Sequence, residues 1–128
     1  MPSIATDGRG DIWASFVKED VEALLPAAMF FKHDKFPQSK RNVLRGIHGG
    51  SKSWKLVTCV YGEIIQVVVD LRKSSNSYLK WQSHKINKAE QKIVLIPPGC
   101  GNVYYVRSEH AVYHYKLAYE GTYVDPAE

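Results

Sequence analysis

The chain has 128 residues, enough for one well-buried core and too few for two. Its 45% hydrophobic and 23% charged content fits a water-soluble globular protein, and no apolar run approaches the roughly 18 residues that a membrane span needs. A formal net charge of +4 and a pI near 9.0 raise nucleic acid as a partner, but the distribution argues against it. Lys32, Lys35, Lys40, Arg41 and Arg45 interleave with Phe31, Phe36 and Pro37, and the other basic residues stand singly. A small phosphorylated ligand explains the surplus better, so neither nucleic acid nor a membrane is expected as a partner. Met1-Pro2-Ser3-Ile4-Ala5 lacks the basic-then-apolar pattern of a secretory signal. Cys59, in an apolar run, and Cys100, in a Pro-Gly loop, read as free thiols of a reducing cytoplasm.

In chain order, the segment 11–25 carries the helical signal. Ile12, Phe16, Val17, Val21, Leu24 and Leu25 recur near helical spacing until Pro26, which predicts one short helix over 18–25. From Ala28 onward short apolar runs alternate with turn residues, predicting eight strands near 29–31, 42–47, 55–60, 63–71, 78–85, 92–96, 102–106 and 111–119. Tyr61-Gly62, Lys73-Ser74-Ser75-Asn76 and Pro97-Pro98-Gly99 mark turns between them. Strands at this spacing indicate an all-β sandwich, jelly roll or small barrel.

Alternation then sorts the side chains by face. Ile65, Val67, Val69 and Leu71 form a wholly apolar face, whereas Gln66, Val68, Asp70 and Arg72 form a mixed one. Tyr113, Tyr115 and Leu117 lie opposite Val112, His114 and Lys116. Such strands suit the wall of a barrel that holds a polar ligand. The most telling stretch is Val43-Leu44-Arg45-Gly46-Ile47-His48. Strict alternation sends Arg45 and Ile47 to one face and His48 to the other, unless Gly46 breaks the pattern. With such a break a cation and an imidazole converge on one pocket, an arrangement suited to an anionic substrate that must lose a proton.

That stretch, then Gly62-Glu63 leading to Val67-Val68-Val69-Asp70-Leu71-Arg72-Lys73-Ser74-Ser75, then Ile96-Pro97-Pro98-Gly99 and Tyr115-Lys116, resemble successive signatures of the dTDP-4-dehydrorhamnose 3,5-epimerase family. Asp7-Gly8-Arg9-Gly10 resembles a motif near the family's start, so the likeness runs in order over roughly 7–123. The resemblance implies a cupin-type double-stranded β-helix, or jelly roll, with one short N-terminal helix, forming a single domain over 1–128. It further implies a cytoplasmic homodimer and a cofactor-independent isomerase. The substrate would be a nucleotide-linked 4-keto-6-deoxy sugar, in deoxysugar or cell-surface polysaccharide biosynthesis. Residue by residue, His48 falls on the family's base, Tyr115 on the opposing acid and Lys55 on a lysine near the keto oxygen. Arg9 and Arg45 fall on arginines of the nucleotide-sugar site, Asp70 on a buried acid and Tyr123 on an aromatic near the nucleotide. His33 stands where the family commonly has glutamine, and Asn102 where it has a second histidine; both are read as substrate-binding. Gly49-Gly50 replaces a bulkier pair. The aspartate that pairs with the family's histidine comes from a segment beyond the position of Glu128. Asp34, Asp70 or a second subunit's carboxylate is therefore the candidate to orient the His48 ring.

The chemistry asked of these residues is coherent. A proton on a carbon next to a ketone becomes removable when the enolate oxygen is stabilised and a base sits within reach. Histidine, with an ordinary pKa of about 6.5, is largely neutral at cytoplasmic pH. Tyr115 would return a proton to the opposite face, Lys55 would offset the enolate charge, and the two arginines could grip diphosphate oxygens by bidentate contacts. The ordinary alternatives are a structural strand-end histidine, a core tyrosine, a solvated lysine and surface ion-pair arginines. No metal is expected: His48-Gly49-Gly50 and Asn102 leave one histidine where a three-histidine site needs three, and His110 and His114 at i, i+4 do not converge on a strand. Two other functions stay open. One is a non-catalytic cupin that binds a nucleotide sugar or assists a partner enzyme; the other is a nucleotide-sugar 3,4-ketoisomerase, whose clustered histidines are absent here.

Overall fold

The computed structural model describes residues 4–27, 29–48 and 52–120, the side chain of His48 excepted. A hairpin of β1 (Ile4–Asp7) and β2 (Gly10–Trp13) turns through Gly8-Arg9 and precedes α1 (Lys18–Glu22), the one helix among the described residues. Then come β3 (Phe31–Lys35), β4 (Gln38–Lys40), β5 (Leu44–His48), β6 (Trp54–Tyr61), β7 (Ile64–Asp70), β8 (Trp81–Ile86), β9 (Val94–Ile96), β10 (Cys100–Val106) and β11 (His110–Ala118). Two antiparallel sheets face each other: β5-β10-β7-β8, and β3-β11-β6-β9 with β4 also paired to β11. Their inner faces share a core of Val57, Cys59, Ile64, Ile86, Ile96, Val106 and Tyr113, among others. Tyr104 of one sheet stacks on Tyr113 of the other with centroids 3.8 Å apart.

All eight expected strands have a counterpart, and three short elements, β1, β2 and β4, stand in addition to them. Ile12, which the sequence places in a helical period, lies instead on β2 of the β1–β2 hairpin and alternates with half-buried Asp11 and Trp13. β4 carries only Gln38, Ser39 and Lys40, with no apolar residue to flag it. The first strand of the barrel lies at Phe31–Lys35 rather than 29–31, because outward Lys32 and Asp34 hide the alternation of half-buried Phe31, His33 and Lys35. The helix ends at Glu22, short of the expected 25.

The register gives the barrel two unlike ends. Val106 and Ile64 pair at one end, next to the turn at Tyr61-Gly62, and bulky core residues fill it. At the other end, which we call the mouth, lie Lys55, Leu117, Asp70 and Cys100, and polar side chains enter the core. On β7 the mixed face turns inward, with Ile64, Gln66 and Asp70 buried, while the wholly apolar face is the outer one.

β5 breaks its alternation at Gly46. Arg45 pairs with Tyr104 and residue 48 with Asn102, so Gly46 and Ile47 together stand opposite the single residue Val103, a β-bulge. Positions 45 and 48 thereby stand opposite two β10 residues, Tyr104 and Asn102, that share one buried inner face. A Cβ on Gly46 would sit 2.9 and 3.0 Å from the Val103 methyls and 3.1 Å from its Cα, at a φ of 156°. Gly46→Ala is therefore expected to destabilise the fold by about 1–3 kcal/mol, the range for overpacking a tight site. Urea unfolding checks this, and an unchanged midpoint would mean that the bulge tolerates a side chain.

Candidate active site

One wall of the mouth belongs to β3, β11 and β6. Tyr115 is half-buried, opposite Val57 on β6 and Lys35 on β3. Lys55 pairs with Leu117, two residues along the same face, and is only 8% exposed. A solvated strand-edge lysine is thus excluded. Its Nζ lies 6.0 Å from the Tyr115 ring centroid. His33, opposite Leu117, and Lys35 are half-buried on the same side. Lys35 was not singled out in the sequence; the signal for it was its i+2 spacing from His33 on a strand.

The other wall is β5 and β10. Arg45 Nε donates to Ser39 Oγ at 2.8 Å, which fixes the base of the guanidinium while the residue stays exposed. Beside it the Tyr104 hydroxyl is fully buried and has no hydrogen-bond partner among the described residues. Burial raises its pKa against the lowering effects of Arg45 and of the nearby Ser39 hydroxyl, so it stays protonated.

The floor is polar and closed. Tyr113 O–H donates to Gln66 Oε1 at 2.6 Å and lies 3.2 Å from Asn102 Oδ1. Gln66 Nε2 donates to Asn102 Oδ1 and to the Val67 carbonyl at 3.3 Å. Gln66 and Tyr113 are almost wholly buried, and Asn102 is 6% exposed. Burial holds the Tyr113 pKa well above the ordinary tyrosine value.

Other expected site residues do not join these. The Arg9 side chain is 90% exposed and pairs with Asp7 at 2.8 Å. Its hairpin is tied to the closed end, where Asp11 meets Lys88 Nζ at 2.5 Å. Asp11 and Trp13 there share a groove with Tyr61 and Gly62, and the length of β6 from Tyr61 to Lys55, about 20 Å at 3.3 Å per residue, separates that end from the mouth. Arg9 therefore does not line the cup of its own chain. Asp70 is buried near the mouth but committed: it accepts Arg72 Nε at 2.9 Å, Arg72 Nη2 at 3.1 Å and Ser77 Oγ at 2.5 Å. Arg72 first, then Ser77, hold its carboxyl well below the usual range. Its role is to clasp the loop after β7. Asp34, the other candidate partner for the His48 ring, faces outward to His114 Nε2 at 2.8 Å and Lys116 Nζ at 2.9 Å. Burial raises its pKa, but Lys116 and His114 outweigh that and lower it. Both carboxylates thus have partners of their own among the described residues. The His48 side chain and Tyr123 lie outside the described residues.

A family model, dTDP-4-dehydrorhamnose 3,5-epimerase, matches residues 1–128. The chain belongs to this family. Among curated members, the dTDP-4-dehydrorhamnose 3,5-epimerase of Salmonella typhimurium is 33% identical over 118 residues, 90% of this chain and 64% of that protein. A dTDP-4-dehydrorhamnose 3-epimerase of Streptomyces niveus is 37% identical over 92 residues, 70% of this chain and 43% of that protein. Among solved members, the dTDP-6-deoxy-D-glucose-3,5-epimerase of Legionella pneumophila, in complex with dTDP-4-keto-L-rhamnose, superposes with a TM-score of 0.85 at 32% identity over 94% of this chain and 65% of that one. A 4-keto-6-deoxy sugar epimerase from the novobiocin gene cluster of Streptomyces spheroides gives 0.86 at 29% identity, covering 98% of this chain and 63% of that one. The chain thus spans slightly under two-thirds of the length of these 3,5-epimerase relatives. The fold of the family, the cupin jelly roll, is the fold of this chain, with one short helix among the described residues.

Proposed function

We propose that the chain is a nucleotide-sugar epimerase that inverts one or two carbons next to the ketone of a dTDP-linked 4-keto-6-deoxy sugar. His48 removes the proton from the carbon, and the C–H electron pair becomes the enolate. Lys55 offsets the charge growing on the oxygen, and Tyr115 delivers its proton to the other face. Solvent then returns a proton to the phenolate and takes one from the imidazolium, so the cycle closes without a cofactor. Arg45 and His33 bind the nucleotide sugar at the rim, while Asn102 faces the sugar from the floor.

The observation that best supports this reading is the pairing across the cup. Buried Lys55 and half-buried Tyr115 stand on one wall, and the bulge aligns positions 45 and 48 on the inner face of the other. Family membership supports the choice of substrate, because the Legionella relative was solved with dTDP-4-keto-L-rhamnose. Incubation with the dTDP-linked 4-keto-6-deoxy sugar in deuterium oxide tests the proposal. Deuterium at carbon 3, carbon 5 or both is expected, and the Streptomyces 3-epimerase relative favours following carbon 3 first. Tight binding with no exchange would instead identify a non-catalytic sugar-binding cupin.

The same proposal includes a homodimer built on the outer face of the β5-β10-β7-β8 sheet. Leu44, Ile47, Leu71, Trp81 and Tyr105 are 37–66% exposed there, and Ile47, Val69 and Leu71 pack around Gly101 in one apolar patch. A wholly apolar strand face turned outward favours association. Sedimentation is expected to give a dimer at micromolar concentration, and a monomer would contradict this part. In such an assembly a projecting Arg9 hairpin could serve a second subunit's cup, the one way left for Arg9 to meet the nucleotide. The proposed setting is cytoplasmic.

A further inference from the structure

The floor of the cup fixes something a sequence does not show: which way the Asn102 amide faces. A backbone carbonyl can only accept a hydrogen bond, so the Gln66 atom facing the Val67 carbonyl at 3.3 Å is the nitrogen. That same nitrogen meets the Asn102 side chain, and its second hydrogen therefore points at an Asn102 oxygen. The Tyr113 hydroxyl fixes Gln66 the same way round, giving its one proton to Gln66 Oε1 at 2.6 Å. Gln66 pairs with Tyr104, one step nearer the closed end than Asn102, so the Asn102 oxygen is turned down into the floor. The nitrogen of the same amide faces away from that oxygen, and the cross-strand partner of Asn102 is position 48.

We propose that Gln66 and Tyr113 are positioning residues that lock Asn102 with its nitrogen toward the sugar, so that this site only donates hydrogen bonds. Resting on the epimerase reading above, the inference narrows the ligand atom to one with no proton of its own to offer, the ketone oxygen that becomes the enolate. An amide also carries no titrating proton, so this donor works equally at every pH at which the enzyme folds. Because the oxygen gains charge only as the proton leaves, the lock acts on turnover more than on binding.

Two variants test the inference by deuterium exchange, each rate expressed per folded molecule from thermal melts. Asn102→Asp keeps size and shape and retains the floor hydrogen bond from Gln66 Nε2, but turns an acceptor and a charge toward the sugar. It is expected to lower kcat at least a hundredfold with KM changed less than fivefold. Were the amide oxygen already facing the mouth, the same substitution would replace one acceptor with another, and kcat within threefold of wild type would overturn the proposal. Gln66→Glu reads the lock itself. Burial raises a carboxyl pKa, and the protonated acid can donate to the Asn102 oxygen as the glutamine nitrogen does, whereas the ionised form cannot. A new fall in kcat as pH rises through that raised pKa is expected, absent from wild type; a profile superposing on wild type would overturn the proposal, and a merely structural role would give that result. If the wild-type chain catalyses no exchange, the epimerase reading fails and this inference fails with it. An active wild type with unaffected variants sinks the inference alone.

Discussion

His48→Asn is expected to slow deuterium incorporation into the 4-keto sugar by about 10²–10⁴-fold, the usual worth of a positioned general base. Asparagine keeps hydrogen-bonding capacity and much of the volume, so the nucleotide sugar should still bind within a few-fold of the wild-type Kd, as calorimetry would read. The register is the reason to expect so large an effect. Residue 48 pairs with Asn102 on the inner face of β10, and Arg45 is aligned with it by the bulge at Gly46-Ile47. A rate within a few-fold of wild type would exclude His48 as the base and leave the cup a binding site.

Tyr115→Phe should separate the two halves of the reaction. Removing the hydroxyl takes away the proton donor of the second face but not the base of the first. Inverted product, followed by NMR of the sugar ring protons, is expected to fall about 10²-fold or more. Deuterium should meanwhile continue to enter the uninverted substrate, because a His48 imidazolium that has exchanged with solvent can return its proton to the face it came from. The ring of Tyr115 lies 6.2 Å from that of Tyr113, and phenylalanine preserves this packing, so the melting temperature should hardly move. Inversion at the wild-type rate would remove Tyr115 from the mechanism. A parallel loss of exchange and inversion would mean that it acts before proton removal.

Much of the fold was legible because the chain's apolar runs are short and separated by strong turn residues, and each such run became a strand. Elements without that pattern escaped: β4 has no apolar residue, and in β3 the outward Lys32 and Asp34 obscured the alternation that carries His33 and Lys35 inward. The arginine–histidine stretch was readable to the point of naming Gly46 as the residue able to break alternation. Whether it did so depended on Val103, a partner some fifty-seven positions away in sequence. Long-range pairing also decided the acidic residues. Asp34 and Asp70 look available in a linear sequence, yet one meets His114 and Lys116 and the other Arg72 and Ser77. Arg9 matched a motif, but its hairpin is anchored at the far end of the barrel. The Gln66–Asn102–Tyr113 floor was hidden for the same reason: three ordinary residues from three strands acquire a direction only when stacked together.

The central claim is that a base and an acid face one ring carbon from opposite sides within the cup. A crystal structure of this chain with a bound, unreactive dTDP-sugar tests it most directly. The account predicts an imidazole nitrogen of His48 and the hydroxyl of Tyr115 on opposite faces of the sugar, each about 3–3.5 Å from the same carbon next to the carbonyl position, with Lys55 near the carbonyl oxygen. A sugar lying outside the cup, or both groups on one face of the ring, would contradict it.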